Sequence, residues 1–295
     1  MLEERKAYIE LHIAVLLFGF TAILGDLINL QAITLVWWRV FITSISLLFF
    51  IRFGRKLKHV PRNKILPFML IGCIVGLHWV CFYGSIKLAN ASVSLICMAT
   101  TSVFTSLLEP LIIKRRIQPL EIIIGLVIIP SMGLVISELD LTMKWGVVVG
   151  LMSAFLASLF GVLNKKYIEV SDPYSITFIE LSSAWLLLSL VFIVGYSYFD
   201  FSQFVPPTAM DWVYIIILAL LCTTLAYVLS LRSLKHLSAF ASNLVVNLEP
   251  LYGIVLAAIL LKEYEQLTFN FYLGGALIIM AVLSYPALKK KFNVI

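Results

Sequence analysis

Charged residues are scarce in this sequence. Only 13% of its 295 residues are Asp, Glu, Lys or Arg, whereas 61% are hydrophobic. The mean hydropathy is +1.02, and a soluble globular domain is about one quarter charged. Because a water-soluble core cannot absorb this much apolar surface, the composition excludes an ordinary soluble protein and predicts one that lies in the lipid bilayer.

The sequence also lacks the common signatures of metal, cofactor and catalytic sites. Its four cysteines lie inside apolar segments without metal-ligand spacing, and we interpret them as small buried hydrophobic residues. The motifs H-E-x-x-H and G-x-S-x-G are absent, as are paired aspartates within apolar segments. We therefore expect no metal, no cofactor and no enzymatic activity. The four cysteines are Cys73, Cys81, Cys97 and Cys222.

Long apolar runs separated by short loops fill almost the whole chain. Crossing the hydrocarbon layer takes about 20 predominantly apolar residues in a helix. The sequence predicts an all-α integral membrane protein with ten transmembrane helices. They are placed at Tyr8–Gly25, Ala32–Arg52, Leu66–Leu88, Ala91–Ile113, Pro119–Ser137, Trp145–Tyr167, Tyr174–Tyr196, Trp212–Leu234, Ser238–Leu261 and Leu267–Leu288.

The distribution of basic residues predicts the orientation of these helices. With ten crossings and a cytoplasmic N-terminus, 18 of the 22 Lys and Arg residues fall on the cytoplasmic side. Only Lys87, Lys144 and Lys262 fall outside, and Arg39 lies within a helix. This bias is typical of cytoplasmic loops, so we expect both termini in the cytoplasm and a location in the bacterial cytoplasmic (inner) membrane. Since the basic residues do not line one face, we expect no binding to nucleic acid.

Weak internal similarity predicts two five-helix repeats, residues 1–140 and 141–295. The segment ILGDLI at 23–28 resembles VLNKKYI at 162–168, and the loops at 112–118 and 260–266 align with each other. Because each repeat has an odd number of helices, the second must be inverted relative to the first. The string LEPL at 108–111 and 248–251 falls in a different register, so Glu109 and Glu249 are not expected to be equivalent.

Two charged residues are predicted at corresponding depths of the two repeats. Arg39 lies in the second predicted helix and Glu180 in the seventh. Charged side chains within a membrane usually face the interior of the helix bundle or a water-filled cavity. Arg39 and Glu180 could pair with each other or could face a ligand. A third intramembrane charge, Glu109, is close to Lys114 and is interpreted as a local structural partner.

A polar segment, SNLVVNLEP at 242–250, lies in the ninth predicted helix. The i,i+4 spacing of Asn243 and Asn247 puts the two amides on one helix face, and Pro250 frees a backbone carbonyl about one turn earlier. We predict that Glu249 and these amides form a substrate or coupling site at the membrane midplane. A buried hydrogen-bonded helix contact is the alternative.

His78 is the remaining candidate, since an imidazole with an ordinary pKa of about 6.5 can take part in a proton-coupled step. A lone histidine among apolar residues can equally be a satisfied interior group. Aromatic residues could line a cavity or could be ordinary packing residues. They are Trp37, Trp38, Trp79, Tyr83, Tyr227 and Tyr252.

Several short strings carry a resemblance to a known family. They are GFTAILG at 19–25, VWWR at 36–39, GLHW at 76–79, NLEPLYG at 247–253 and LLKE at 260–263. Together they resemble the EamA-type transporters of the drug/metabolite transporter superfamily over nearly the whole chain. The resemblance implies ten helices in two inverted repeats, a central cavity open to one side at a time, and transport of small metabolites, often outward. Amino acids are the best-known bacterial cargo of that family.

We therefore expect a secondary transporter that exports an amino acid or a related small molecule. The sequence permits proton coupling and does not specify the oligomeric state. An integral-membrane enzyme is one rival interpretation, and a membrane-embedded receptor or assembly factor without transport activity is another.

Overall fold

A computed structural model of the chain describes residues 2–54, 60–114, 116, 119–137, 139–199, 201–237, 242, 245–246, 248–262 and 267–291. Every regular element within these residues is a helix. The α-helices whose bounds fall within the described residues are α1 Leu2–Leu27, α2 Ala32–Gly54, α3 Arg62–Leu88, α4 Ala91–Ala99, α5 Thr101–Ile113, α6 Pro119–Ser137, α7 Leu141–Tyr167, α8 Pro173–Val194, α9 Ala209–Ala219, α10 Ala226–His236, α11 Glu249–Leu260 and α12 Phe269–Lys291.

Seven helical segments in the described part of the chain are long and apolar enough to cross a membrane. Two shorter apolar helices, Glu249–Leu260 and Phe269–Ala281, follow them. The chain is thus an all-helical, multi-pass membrane protein, while the total of ten crossings stays a prediction.

The fourth predicted helix, Ala91–Ile113, is divided between α4 and α5 at Thr100. The hydroxyl of Thr100 donates to the carbonyl of Cys97 at 2.6 Å, and that of Ser102 donates to Ala99 at 3.3 Å. Such local side-chain bonds compete with the regular helical ladder. Both α4 and α5 pack on α7, so the two parts form one span, Ala91–Ile113.

The eighth predicted helix, Trp212–Leu234, is interrupted by a π-helix at Leu220–Leu225 that joins α9 to α10. The hydroxyls of Thr223 and Thr224 donate to the carbonyls of Leu218 and Ala219, five residues earlier, at 2.7 and 2.9 Å. A π turn has i→i+5 hydrogen bonds and occurs often at functional sites. The predicted span is therefore found as one helical segment, Ala209–His236, with a π turn inside it that the hydropathy pattern does not predict.

The ninth predicted helix, Ser238–Leu261, is interrupted by a turn at Leu248: the described residues 242, 245 and 246 before it are helical, and residues 238–241, 243–244 and 247 lie outside the described part of the chain. Helix α11 begins after this turn at Glu249, with Pro250 in its first turn. Proline favours this position because it has no N–H group to donate and its φ already suits a helix. Glu249 therefore lies at the start of α11, not in the middle of a helix.

Two ends of the bundle can be distinguished by their contacts. The basic end comprises residues 5–10, 62–64, 165–171 and 232–235. There the Nζ atom of Lys165 donates to the carbonyls of Leu234 and Leu237 at 3.0 and 3.2 Å, and that of Lys235 donates to Ser171 at 2.8 Å. At this end Arg232 also forms an ion pair with Glu10 at 2.8 Å.

The opposite end comprises residues 26–31, 87 and 204–212. The backbone N–H of Asn29 donates to Asp211 Oδ1 at 2.8 Å, which ties the α1–α2 turn to the start of α9. Lys87 Nζ donates to the carbonyl of Ile28 at 2.7 Å. Beside these bonds the ring of Trp38 packs against that of Phe204, and Trp38 also donates to the backbone carbonyl of Phe204 at 2.8 Å. These contacts close this end between α2, α9 and the segment that precedes α9.

Helix packing links the two predicted repeats throughout. Helix α3 packs on α7 and α8, α1 packs on α10 and α11, and α6 packs on α12. Each of these contacts has a counterpart when the two predicted repeats are aligned. For example, the contact of α1 with α10 corresponds to the contact of α7 with α3. The largest apolar core lies among α1, α2, α3, α8 and α9.

Candidate functional site

A cavity of 170 Å³ lies between the predicted repeats. A water molecule needs about 10–15 Å³ of such a cavity, so the cavity has room for on the order of ten waters or a small metabolite. Its wall combines aromatic and apolar side chains with a few polar groups, the usual character of a small-molecule site. The polar and aromatic side chains of the lining include Arg39, His78, Trp79, Asn164, Tyr227 and Glu249.

The cavity reaches toward the basic end of the bundle. Its lining includes Glu109, Ile113 and Lys165, and Ile113 is 38% exposed. The hydrogen bonds between Asn29 and Asp211 lie at the other end. The cavity is therefore deepest near the centre and is approached from the basic end.

Arg39 lies at the deep end and is 1% exposed. Its Nη1 donates to the hydroxyl of Tyr83 at 2.7 Å, and its Nε donates to Thr223 at 2.6 Å. Its guanidinium carbon lies 3.9 Å from the centre of the Trp79 ring, a cation–π contact. Hydrogen bonds and the aromatic face hold the guanidinium in one orientation at the cavity wall.

The π-helix explains how three elements meet at Arg39. One extra residue in the turn presents Thr223 toward α2, and Thr43 on α2 donates to the carbonyl of Ala219 at 3.1 Å. Ser46 lies 2.9 Å from the hydroxyl of Thr224. Arg39, Thr43 and Ser46 have the i, i+4, i+7 spacing of one helix face, so α2 binds the π-helix along a polar stripe.

Glu180 is fully buried on α8, outside the cavity lining. Its Oε2 accepts from the Tyr227 hydroxyl at 2.7 Å and from Asn164 Nδ2 at 3.5 Å. Asn164 Nδ2 also donates to the Tyr227 oxygen at 3.1 Å. Arg39 and Glu180 form no ion pair with each other, so that alternative from the sequence is wrong. Instead each charge has its own set of partners.

His78 is buried on α3 and lines the cavity. Its Nδ1 lies 2.9 Å from both the carbonyl and the hydroxyl of Ser153 on α7. The Ser153 hydroxyl also lies 3.1 Å from the carbonyl of His78. His78 therefore combines both interpretations from the sequence: it is a satisfied interior group, and its ring also borders the cavity, 5.3 Å from that of Phe160.

Glu249 lines the cavity from the start of α11, together with Pro250. The predicted partners Asn243 and Asn247 lie outside the described residues, so their common face stays a prediction. Glu109, interpreted from the sequence as a local structural partner, also contributes to the cavity lining.

Sequence reasoning missed the groups that hold the two buried charges. The sequence did not single out Asn164. For Tyr83 and Tyr227 it predicted either cavity lining or ordinary packing, without a choice between the two. Thr223 gave no sequence signal beyond the pair of threonines in LLCTTL at 220–225. A search for polar residues at depths matching Arg39 and Glu180 on neighbouring helices could have found Asn164 and Thr223.

Comparison with known proteins identifies relatives over nearly the whole chain. The profile of the EamA-like transporter family matches in two segments, residues 5–137 and 144–285. The uncharacterized transporter YetK of Bacillus subtilis is 22% identical over 98% of this chain and 92% of its own length. A second uncharacterized transporter of that species, YxxF, is 22% identical over 86% of this chain and 81% of its own. An uncharacterized transporter of Clostridium kluyveri is 25% identical over 70% of this chain and 67% of its own.

The fold has a counterpart among solved structures. A protein crystal structure superposes with a TM-score of 0.68 at 13% identity, covering 97% of this chain and 98% of the other. At this identity the likeness shows the fold alone.

Proposed function

The chain belongs to the EamA-like transporter family, and from that premise we propose that it is a secondary transporter for an amino acid or a related small metabolite. It moves this cargo outward across the cytoplasmic membrane of a bacterium by alternating access. The family points to a transporter rather than to an enzyme, a receptor or an assembly factor. The observation that carries the proposal is the cavity between the predicted repeats, with Arg39, His78 and Glu249 in its wall.

The proposed architecture is ten crossings in two inverted five-helix repeats, residues 1–140 and 141–295. The two separate family matches support it, as do two lysines that correspond when the loops at 112–118 and 260–266 are aligned. Lys87 at the end of α3 donates to the turn after α1, and Lys235 at the end of α10 donates to the turn after α7. These equivalent bonds lie at opposite ends of the bundle, as an inverted repeat requires.

The described conformation suits the inward-facing half of the transport cycle. The cavity extends toward the basic end, which the positive-inside bias assigns to the cytoplasm. Asn29 and Asp211 connect the two repeats at the other end. Outward opening would have to separate these residues and shut the cavity near Lys165.

The cargo is proposed to carry groups of both signs. Arg39 offers a fixed cation that can bind a carboxylate, and Glu249 offers a carboxyl group for an ammonium group. Because Glu249 lines the cavity, its carboxyl group can also exchange a proton during the cycle. His78 borders the same space and could orient the ligand.

Uptake into proteoliposomes tests the function directly. Purified protein is reconstituted and assayed by exchange against a panel of radiolabelled amino acids and other small metabolites, with and without a pH gradient. Loss of one hydrogen bond to a charged group costs about 1.5–3 kcal/mol. We therefore expect Arg39→Gln to reduce exchange at least about tenfold. The control is Lys166→Gln, an exposed charge on α7 outside the cavity lining.

Activity for no member of the panel in protein that is folded and monodisperse would contradict the proposal. Normal exchange by Arg39→Gln at a normal protein level would remove Arg39 from the site. In Glu249→Gln, shape and hydrogen bonding remain while titration is lost, so exchange should persist and gradient-driven accumulation should fail. Wild-type accumulation by that variant would leave Glu249 a structural hydrogen-bond partner.

Cysteine labelling tests the proposed topology. A thiol introduced at Gln203, in a chain whose own cysteines are replaced, should react with an impermeant maleimide in intact cells. Reaction only after permeabilisation would show that the ten-helix arrangement is wrong.

A further inference from the structure

Three side chains form a buried cluster behind the cavity wall. Glu180 lies on α8, Asn164 on α7 and Tyr227 on α10, and at most 5% of each is exposed. Asn164 and Tyr227 line the cavity, whereas Glu180 does not. The carboxyl group of Glu180 is therefore separated from the proposed substrate site by the side chains of Asn164 and Tyr227.

The hydrogen bonds of this cluster do not balance. Tyr227 and Asn164 Nδ2 both donate to Glu180 Oε2. Among the described residues, Glu180 Oε1 and Asn164 Oδ1 have no hydrogen-bond partner. Buried polar atoms are almost always paired. Asn164 Oδ1 accepts only, and Glu180 Oε1 accepts only as long as the carboxyl group is ionised. The cluster is thus short of a hydrogen-bond donor.

The charge of the cluster does not balance either. Around Glu180, α3 presents the backbone at Gly72, α7 presents Asn164 and α10 presents Tyr227, which is the titratable side chain in contact with the carboxyl group. Among the cations on the adjoining helices, Arg39 on α2 and Lys165 on α7 donate to other groups, as do Arg232 and Lys235 on α10. An unpaired carboxylate in such surroundings is costly.

We propose that Glu180 carries a proton on Oε1, which makes Glu180, Tyr227 and Asn164 a proton-binding site beside the cavity. The proton removes the negative charge and supplies the missing donor. The two free oxygens are too few for a hard metal cation such as Mg²⁺ or Ca²⁺, which takes roughly six or more oxygen ligands. A proton requires one oxygen to bind and one to accept its hydrogen bond.

The site also explains how a proton could act on the cargo. When the proton leaves, a negative charge appears one side chain behind the cavity wall, and it attracts an ammonium group in the cavity. Proton binding and binding of a cationic group therefore oppose each other, and by linkage the effect is reciprocal. Opposition of this kind is what proton-driven export needs. The coupling role rests on the proposed function, but the proton site itself does not.

Infrared spectroscopy of the full chain in lipid nanodiscs tests the site without any substrate. The probe is the C=O stretching band of a protonated carboxylic acid at pH 7, confirmed by its shift in D₂O. We expect this band to lose a component in Glu180→Gln. The matched control is Glu10→Gln, because Glu10 is ion-paired with Arg232 at 2.8 Å, and we expect the band to be unchanged in this variant. An unchanged band in Glu180→Gln would overturn the proposal.

A second variant distinguishes a protonated group from a merely structural one. Tyr227→Phe removes the donor to Oε2, the carbonyl oxygen of the protonated group, so the band should keep its area and move to higher frequency. No shift in a folded Tyr227→Phe protein would refute the site even if Glu180→Gln could not be purified. Loss of the wild-type band in sodium chloride but not in choline chloride would assign the site to sodium and overturn the proton. Transport by a protein that lacks the Glu180 band would contradict the proton site and leave the proposed function unaffected. The Glu180 band in a protein without transport activity would contradict the proposed function and leave the proton site unaffected.

Discussion

Two helix crossings that correspond under the proposed repeat are built from different chemistry. At the crossing of α3 with α8, Gly72 and Gly76 allow close approach: a Cβ on Gly72 would overlap the carbonyl oxygen of Glu180, and one on Gly76 would lie 3.1 Å from the Cβ atom of Ala184. At the crossing of α2 with α9 and α10, Arg39 and Thr43 bind the π-helix through hydrogen bonds.

A second pair of corresponding crossings shows the same contrast between glycine contacts and hydrogen bonds. Where α1 meets α11, a Cβ on Gly19 would lie 3.2 Å from the backbone nitrogen of Gly253. Where α7 meets α5, the hydroxyls of Ser158 and Thr105 lie 2.9 Å apart. Each repeat therefore contributes a helix to both glycine crossings and to both polar crossings.

The contrast teaches that the proposed repeat preserves which helices touch and at what depth, while the residues at the contacts have diverged. Small residues and hydrogen-bonding residues are both ways to hold helices together in lipid, where the hydrophobic effect between helices is absent. One way fixes the backbones by contact. The other depends on donors and acceptors that can find new partners.

The largest expected effect is on the polar crossing at Arg39. Arg39→Gln removes charge-assisted bonds to Tyr83 and Thr223, each worth about 1.5–3 kcal/mol, so we expect the free energy of unfolding to fall by roughly 3 kcal/mol or more. Glu180→Gln keeps an acceptor for Tyr227 and adds a donor to a cluster that lacks one, so it should change stability by less than about 1 kcal/mol. Thermal unfolding in detergent measures both, and equal losses would erase the distinction between the two charges.

A smaller loss is expected at the glycine crossing. Gly72→Ala forces the backbones of α3 and α8 apart, and overpacking of this kind costs typically about 1–3 kcal/mol. The control is Gly133→Ala on α6, where an added Cβ would meet nothing within 4 Å. That substitution should be neutral or gain up to about 1 kcal/mol from helix propensity. If Gly72→Ala unfolds at the wild-type temperature, close approach does not hold this crossing.

The smallest effect is expected where α7 meets α5. Hydrogen bonds between membrane helices average about 0.6 kcal/mol in double-mutant cycles, and we expect that coupling between Ser158→Ala and Thr105→Ala. The cycle supplies its own control, because the Thr105 hydroxyl also donates to the carbonyl of Thr101 at 2.9 Å and that contribution cancels. Additive single losses would mean that the 2.9 Å contact contributes nothing.

Much of the fold could be predicted from the sequence because apolar length and basic loops are strong signals in a membrane protein. The predicted span Pro119–Ser137 coincides with α6, and Ala32 and Ala91 begin helices as expected. The break at Thr100 and the π-helix could not be predicted, since they depend on a few hydroxyl–carbonyl bonds that leave hydropathy unchanged. The start of α11 at Glu249 was within reach, because a proline in the first turn is an ordinary helix signal.

The candidate site could be predicted only in part, for a physical reason. An isolated charge in an apolar run is conspicuous, so Arg39, Glu180 and Glu249 could be selected from the sequence. Their neutral partners are common residues whose role depends on which helices meet, and Asn164 and Thr223 therefore went unnoticed. Lys87, one of the few basic residues predicted on the outer side, has its explanation in the carbonyl of Ile28.

The π-helix at Leu220–Leu225 also sets the rotation of α10 relative to α9 around their common axis. A π turn holds one more residue than an α turn, and one residue corresponds to about 100° of rotation around the axis. Asp211 before the turn faces Asn29, and Tyr227 after it faces Glu180. Deleting a single residue inside the turn would restore a regular helix and rotate one half of the span against the other. The contact at the closed end and the contact beside the cavity could then no longer be satisfied together.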